Sequence, residues 1–138
     1  MTRISSIEGR ILYNSRGSKT IEIDVESEGK FLGRVCAPSG ASVGKYEAVS
    51  FPNGKPEESL RILQENSQKF IGLESSDLKG IHDTLKSLDN STNYSRLGGA
   101  LAFAVTIASM ESAAKAAEQP LFEILSPKSS FKFPFPLG

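Results

Sequence analysis

The chain has 138 residues, with sixteen basic side chains, sixteen acidic ones and a hydrophobic content of 38%. That length suits one domain with a real core. Balanced, interspersed charge excludes the electrostatic footprint of a nucleic-acid or anionic-membrane binder, and a single cysteine, Cys36, excludes an internal disulfide. Ile4 to Tyr13 opens the chain as a moderately apolar, β-branched segment that stops at the turn residues Ser15-Arg16-Gly17-Ser18. Thr20 to Glu26 alternates strictly, with Ile21, Ile23 and Val25 against Glu22, Asp24 and Glu26, which predicts a half-buried strand. Glu28-Gly29-Lys30 turns the chain, and Phe31 to Ala37 returns as a third strand. Three strands joined by short turns predict an antiparallel meander.

Ala37 to Glu47 then breaks the pattern. Two glycines, two serines and an alanine crowd the six residues from Ser39 to Gly44. Such a segment has little side chain with which to anchor itself, and its N–H and hydroxyl groups can approach a ligand closely. Beyond it, Pro52-Asn53-Gly54-Lys55-Pro56 is a breaker cluster. Pro56 suits the first turn of a helix, and Glu57 and Glu58 favour its positive end. Leu60, Leu63, Phe70 and Ile71 predict one helix running to Gly72, and Ser75 or Ser76 is placed to cap the next, which carries Leu78, Ile81, Leu85 and Leu88. Asp89 to Asn93 reads as loop. Leu97 to Glu118 is alanine-rich and predicts a helix buried among close neighbours, ended by Pro120. Strands first and helices afterwards predict an α+β fold, a three-stranded antiparallel meander with a helical bundle on one face. The domain is expected over 1–126. Residues 127–138, which end in Phe131-Lys132-Phe133-Pro134-Phe135-Pro136-Leu137-Gly138, read as an extended segment suited to lying on another domain.

Cys36 sits in an apolar run and is expected to be a buried thiol. The only histidine, His82, is far from it in sequence, which argues against a Cys/His pair. Asp77 and Asp83 are not spaced for one helical face, so no metal pair is expected there. The start, Met1-Thr2-Arg3-Ile4-Ser5, lacks the apolar core of a signal peptide, and no stretch approaches a membrane span; the expected location is cytoplasmic.

Three ordered segments resemble the amino-terminal domain of the enolase family, whose usual motifs are D-S-R-G-N-P-T, S-G-A-S-T-G followed by E-A, and L-D-G-T-x-N-K-S-x-L-G-A-N-A. Here they stand as Asn14-Ser15-Arg16-Gly17-Ser18-Lys19-Thr20, then Ser39-Gly40-Ala41-Ser42-Val43-Gly44 with Glu47-Ala48, then Leu88 to Leu101. The likeness spans essentially the whole chain. It implies reversible dehydration of 2-phosphoglycerate to phosphoenolpyruvate, with two Mg²⁺ ions setting fixed positive charge against an enolate-like intermediate. In that family the base, the acid and the carboxylate ligands of the first metal come from a catalytic barrel, so no catalytic residue is expected in this chain, and alone it should be inactive. The resemblance makes Ser39, Gly40, Ala41, Ser42, Val43 and Gly44 a lid over the substrate, with Ser42 as a ligand of the second Mg²⁺. It implies a barrel partner and a homodimer or larger oligomer. Arg10 and Glu22 match positions used at the subunit boundary, and Arg16 is placed to brace the lid or the domain junction. Asn14, Ser18-Lys19, Val43 and Gly99 depart from the family pattern, which fits a divergent, archaeal-like enolase. The same departures leave open a non-catalytic interaction module that keeps the fold.

Overall fold

A computed structural model of the chain describes residues 1–40, 42, 44–126, 130, 132 and 134–136. Ala41, Val43 and most of the expected extended segment at 127–138 lie outside the described residues. Three strands, β1 (Ile4–Tyr13), β2 (Lys19–Ser27) and β3 (Phe31–Cys36), form one antiparallel sheet in the order β1-β2-β3. The alternation of β2 decides its orientation. Ile21, Ile23 and Val25 are fully buried on one face, while Glu22, Asp24 and Glu26 stand on the other. Each such isoleucine or valine stabilises the fold by about 1.5–3 kcal/mol relative to exposure. A bulge between Ile4 and Ser6 lets Ile4 and Ile7, at odd spacing, both reach the buried face.

Among the described residues four α-helices follow: α1 (Pro56–Asn66), α2 (Leu78–Leu88), α3 (Gly99–Ala116) and the short α4 (Leu121–Leu125). The α+β expectation holds. Two boundaries differ. The predicted helix to Gly72 stops at Asn66, and a 3₁₀ turn at Ser67–Lys69 carries Phe70 into the core. The cap of α2 is Asp77, whose carboxylate accepts from the Gly80 N–H at 3.0 Å, rather than Ser75 or Ser76. Ser75 is instead buried and donates its hydroxyl to the Thr2 carbonyl at 2.9 Å.

The alanine-rich α3 lies directly on the sheet. A Cβ at Gly33 would fall 1.9 Å from the Ala108 carbonyl oxygen, so helix and strand backbones touch there. Ser112 bridges the same seam, donating to the Phe31 carbonyl at 2.6 Å and lying 2.7 Å from the Ser27 hydroxyl. Polar side chains of α3 also close the free edge of β3. Lys115 donates to the Leu32 carbonyl at 2.5 Å, and Glu111 accepts from the Arg34 N–H at 3.2 Å.

Cys36 corrects an expectation. Its thiol is exposed, because the run Phe31 to Ala37 alternates and Cys36 takes the outer face opposite Glu22. Although the residue is exposed, partial desolvation of its sulfur pushes the thiol up, and its 3.2 Å hydrogen bond to the Glu22 carboxylate adds to the shift, so this sulfur is held as a thiol.

Candidate functional site

The small-residue loop leaves the sheet at the end of β3, beside the turn that joins β1 to β2. That turn is built by Asn14. Its side-chain oxygen accepts from the Arg16 and Ser18 N–H groups at 2.9 and 3.0 Å, an Asx turn. Its amide nitrogen is left pointing outward and donates to the Ser39 hydroxyl at 2.9 Å. Arg16, presented by the same turn, donates to the carbonyls of Ser39 and Gly40 at 3.0 and 3.2 Å. Two side chains from one turn thus hold the entry of the loop through its backbone and one hydroxyl. Thr20 fixes the chain two residues before Ser39, donating to the Ala37 carbonyl at 2.8 Å.

The exit of the loop is held differently. The Gly44 N–H donates to the Glu47 carboxylate at 2.9 Å, a short local closure. Beyond it the chain is bound by main-chain bonds. Val49 donates to Asn93, Gly99 donates to Val49 at 2.7 Å, and Ala100 donates to Ser50 at 3.1 Å. The exit therefore rests on the first turn of α3. Pro38 from the entry and Glu47, Ala48 and Ser50 from the exit line one shallow pocket with Gly99, Ala100 and Phe103. Both roots of the loop meet at this helix end.

The α3 start is itself positioned by Asp89, a residue that its surroundings on the sequence mark only as loop. Its side chain is fully buried. One carboxylate oxygen accepts from the Ser91 N–H and hydroxyl at 2.9 and 2.5 Å, the other from the Arg96 and Leu97 N–H groups at 2.9 and 2.7 Å. Burial pushes this carboxyl up, but the hydrogen bonds from Ser91, Leu97 and Arg96 outweigh it and hold the group below the usual carboxylate range. Lys86 closes the same loop, donating to the Ser91 carbonyl at 2.8 Å and standing over the Tyr94 ring. The signal that could have found this hub is the short Asp89-Asn90-Ser91 turn sequence ahead of Gly98-Gly99. Gly98 has φ 93°, a left-handed value that favours glycine, and a Cβ there would meet the Ser50 carbonyl and the Ser59 hydroxyl at 2.7 Å.

Within the loop Ser42 is exposed and makes no hydrogen bond to another described residue. Ser39, Gly40 and Gly44 are likewise exposed. Arg10 and Glu22 lie elsewhere, directly opposite one another on the outer face of the sheet. They form an ion pair that Asp24 and Arg34 extend, with Arg10–Asp24 at 3.1 Å and Arg34–Asp24 at 2.7 Å. Hydrogen bonding from Arg34 holds the Asp24 carboxyl below its ordinary range. His82 is exposed on α2. Among the described residues no three His, Cys, Asp or Glu side chains converge as a metal cluster, and no helix is long and apolar enough to cross a membrane.

A small meander sheet, one face covered by a helical bundle, carrying a glycine-serine loop between sheet and helices, defines the class: an α+β domain. Comparison gives the family. The enolase N-terminal domain family matches residues 4–125, and this chain belongs to it. It is 38% identical over 136 residues to an enolase of Methanosphaera stadtmanae, covering 98% of this chain and 33% of that protein. An enolase of Methanothermobacter thermautotrophicus is 37% identical over 136 residues, covering 98% and 32%. One of Halorubrum lacusprofundi is 35% identical over 142 residues, covering 100% and 34%. The chain spans about a third of the length of the curated relatives it matches.

Proposed function

We propose that residues 39–44 are the lid of an enolase active site, completed by a catalytic barrel that this 138-residue sequence does not contain. The supporting observation is the grip of Asn14 and Arg16 on Ser39 and Gly40. It fixes the entry of the loop and leaves Ser42 exposed beyond the anchor. A flap that swings from fixed roots can exclude water and complete a site on closure. In this reading the substrate is 2-phosphoglycerate and the product phosphoenolpyruvate, the activity is that of a lyase of the whole protein, and the isolated chain has no turnover.

The donor set of the loop suits a hard cation only in part. A serine hydroxyl and carbonyl are oxygen ligands of the kind Mg²⁺ takes, but one residue supplies at most two of about six positions. The remaining ligands, and the site of the other Mg²⁺, belong to the barrel and the substrate. The metal supplies fixed positive charge against charge that develops on the substrate. This chain contributes the hydroxyl of Ser42, the backbone of the loop and the anchors that aim them. Arg10 and Glu22 are read as a charged patch at a subunit boundary in a dimer or larger oligomer.

The test joins the chain to a cognate barrel and follows phosphoenolpyruvate formation with Mg²⁺. Ser42→Ala is expected to lower turnover by about a hundredfold, the scale of losing one oriented polar contact to the transition state, while leaving the melting curve unchanged. Wild-type turnover in that variant removes Ser42 from the mechanism.

A further inference from the structure

The exit of the loop rests on a contact between two backbones that only small residues allow. A Cβ built at Gly99 would lie 2.9 Å from the Ala48 Cβ, closer than packed carbons sit, and 3.5 Å from the Val49 carbonyl oxygen. The methyl of Ala48 is not the far end of a flexible side chain. It is bonded to the main chain of the exit segment, so it yields only if that segment moves. The two main-chain bonds on either side, Gly99 to Val49 and Ala100 to Ser50, leave no slack at this point. On the other side, Asp89 holds the residues that lead into α3 by accepting from the Arg96 and Leu97 N–H groups.

We propose that Gly99 is a positioning residue. By lacking a side chain it seats the Ala48–Ser50 segment against the first turn of α3 and so sets the place from which the loop 39–44 departs. The consequence for catalysis rests on the lid reading above; the seat itself does not. Gly99 lies at the first position of α3 and is not among the glycines of positive φ. An alanine there gains helix propensity in the absence of any steric conflict. The two effects have opposite signs, which makes the substitution decisive.

The experiment is amide hydrogen exchange on the 138-residue chain. In Gly99→Ala, exchange at residues 49, 99 and 100 is expected to rise about tenfold, while Ile23 and Val25 in the central strand stay protected. Removing the opposing methyl in Gly99→Ala/Ala48→Gly should return exchange to that of Ala48→Gly alone. Ala48→Val, which enlarges the contact from its other side, should loosen the same amides. Unchanged or slower exchange in Gly99→Ala, or no rescue by the double substitution, overturns the proposal. If exchange responds as expected but turnover of the barrel-joined protein does not, the lid reading fails and the seat stands.

Discussion

The seam between α3 and β3 and the loop that follows β3 are consecutive in space, yet they are stabilised by opposite means. At the seam, Gly33 lies against the Ala108 backbone and Ser112 joins Ser27 to Phe31, so apolar burial and backbone contact leave no room. At the loop, exposed residues are held by a few hydrogen bonds from Asn14, Arg16 and Glu47. Close packing is bistable only at high cost, whereas solvent-exposed hydrogen bonds exchange with water at little net expense. The lid proposed above would need both, a rigid frame and a segment free to move on it. The difference predicts that damage at the seam shows in global stability and damage at the loop shows only locally.

The largest effect is expected at Gly33. Gly33→Ala places a methyl 1.9 Å from the Ala108 carbonyl oxygen and 2.7 Å from the Ser112 nitrogen, both backbone atoms of a helix that cannot move alone. We expect a loss of about 3 kcal/mol or more in urea unfolding, at the upper end of overpacking costs. A loss under about 1 kcal/mol would show that α3 slides on the sheet, and the contrast between seam and loop would fail with it.

Asp89 comes next. Asp89→Ala leaves the N–H groups of Ser91, Arg96 and Leu97 without their acceptor in a buried setting, and should cost about 2–3 kcal/mol. The pH dependence has a definite sign. The folded carboxyl is held below its ordinary value, so its contribution is complete above the unfolded value near about 4 and is lost as pH falls through the lower folded value. In Asp89→Asn the acid limb of the stability curve below about pH 4 should flatten relative to the native chain. Unfolding midpoints measured between pH 2 and 6 (a span set around that ordinary value, about 4) check it.

Much of this arrangement is legible in the order of residues, and the failures are instructive. The alternation of Ile21, Ile23 and Val25 determines the sheet's buried face, because period two is visible without any partner. Cys36 was expected inside because the run Phe31 to Ala37 is apolar, and apolar character conceals phase. The pairing of Cys36 with Glu22 settles it. Ser75 and Asp77 both suit a cap, and choosing between them required knowing that Ser75 is claimed by the Thr2 carbonyl, 73 residues away. The same limit applies to the loop. Its small residues and the Asn14–Arg16 turn are visible in sequence. That Asp89 governs its exit is not, since the connection runs through Leu97, Gly99 and Val49 by tertiary contact. The departure at Gly99 was visible as a difference from the family pattern, but its steric meaning appears only beside Ala48.

The smallest global effect sharpens the contrast most. Arg16 is exposed, and its guanidinium holds two carbonyls of the loop entry without touching the core. Arg16→Ala should change unfolding stability by no more than about 0.5 kcal/mol. Locally the outcome should differ, because among the described residues Ser39 then keeps only the Asn14 amide as a side-chain anchor. Lys45 lies in the exposed turn just past Gly44 and offers a trypsin site within reach of any loosening. Under native conditions cleavage after Lys45 should accelerate by about fivefold or more, through local opening rather than global unfolding. Arg16→Lys should only partly restore protection: both bonds leave one guanidinium nitrogen, whose place the shorter, more strongly hydrated lysine ammonium does not reproduce. Equal cleavage rates in all three chains would mean that the loop is held by its own backbone, and the turn at Asn14 would lose its role as anchor.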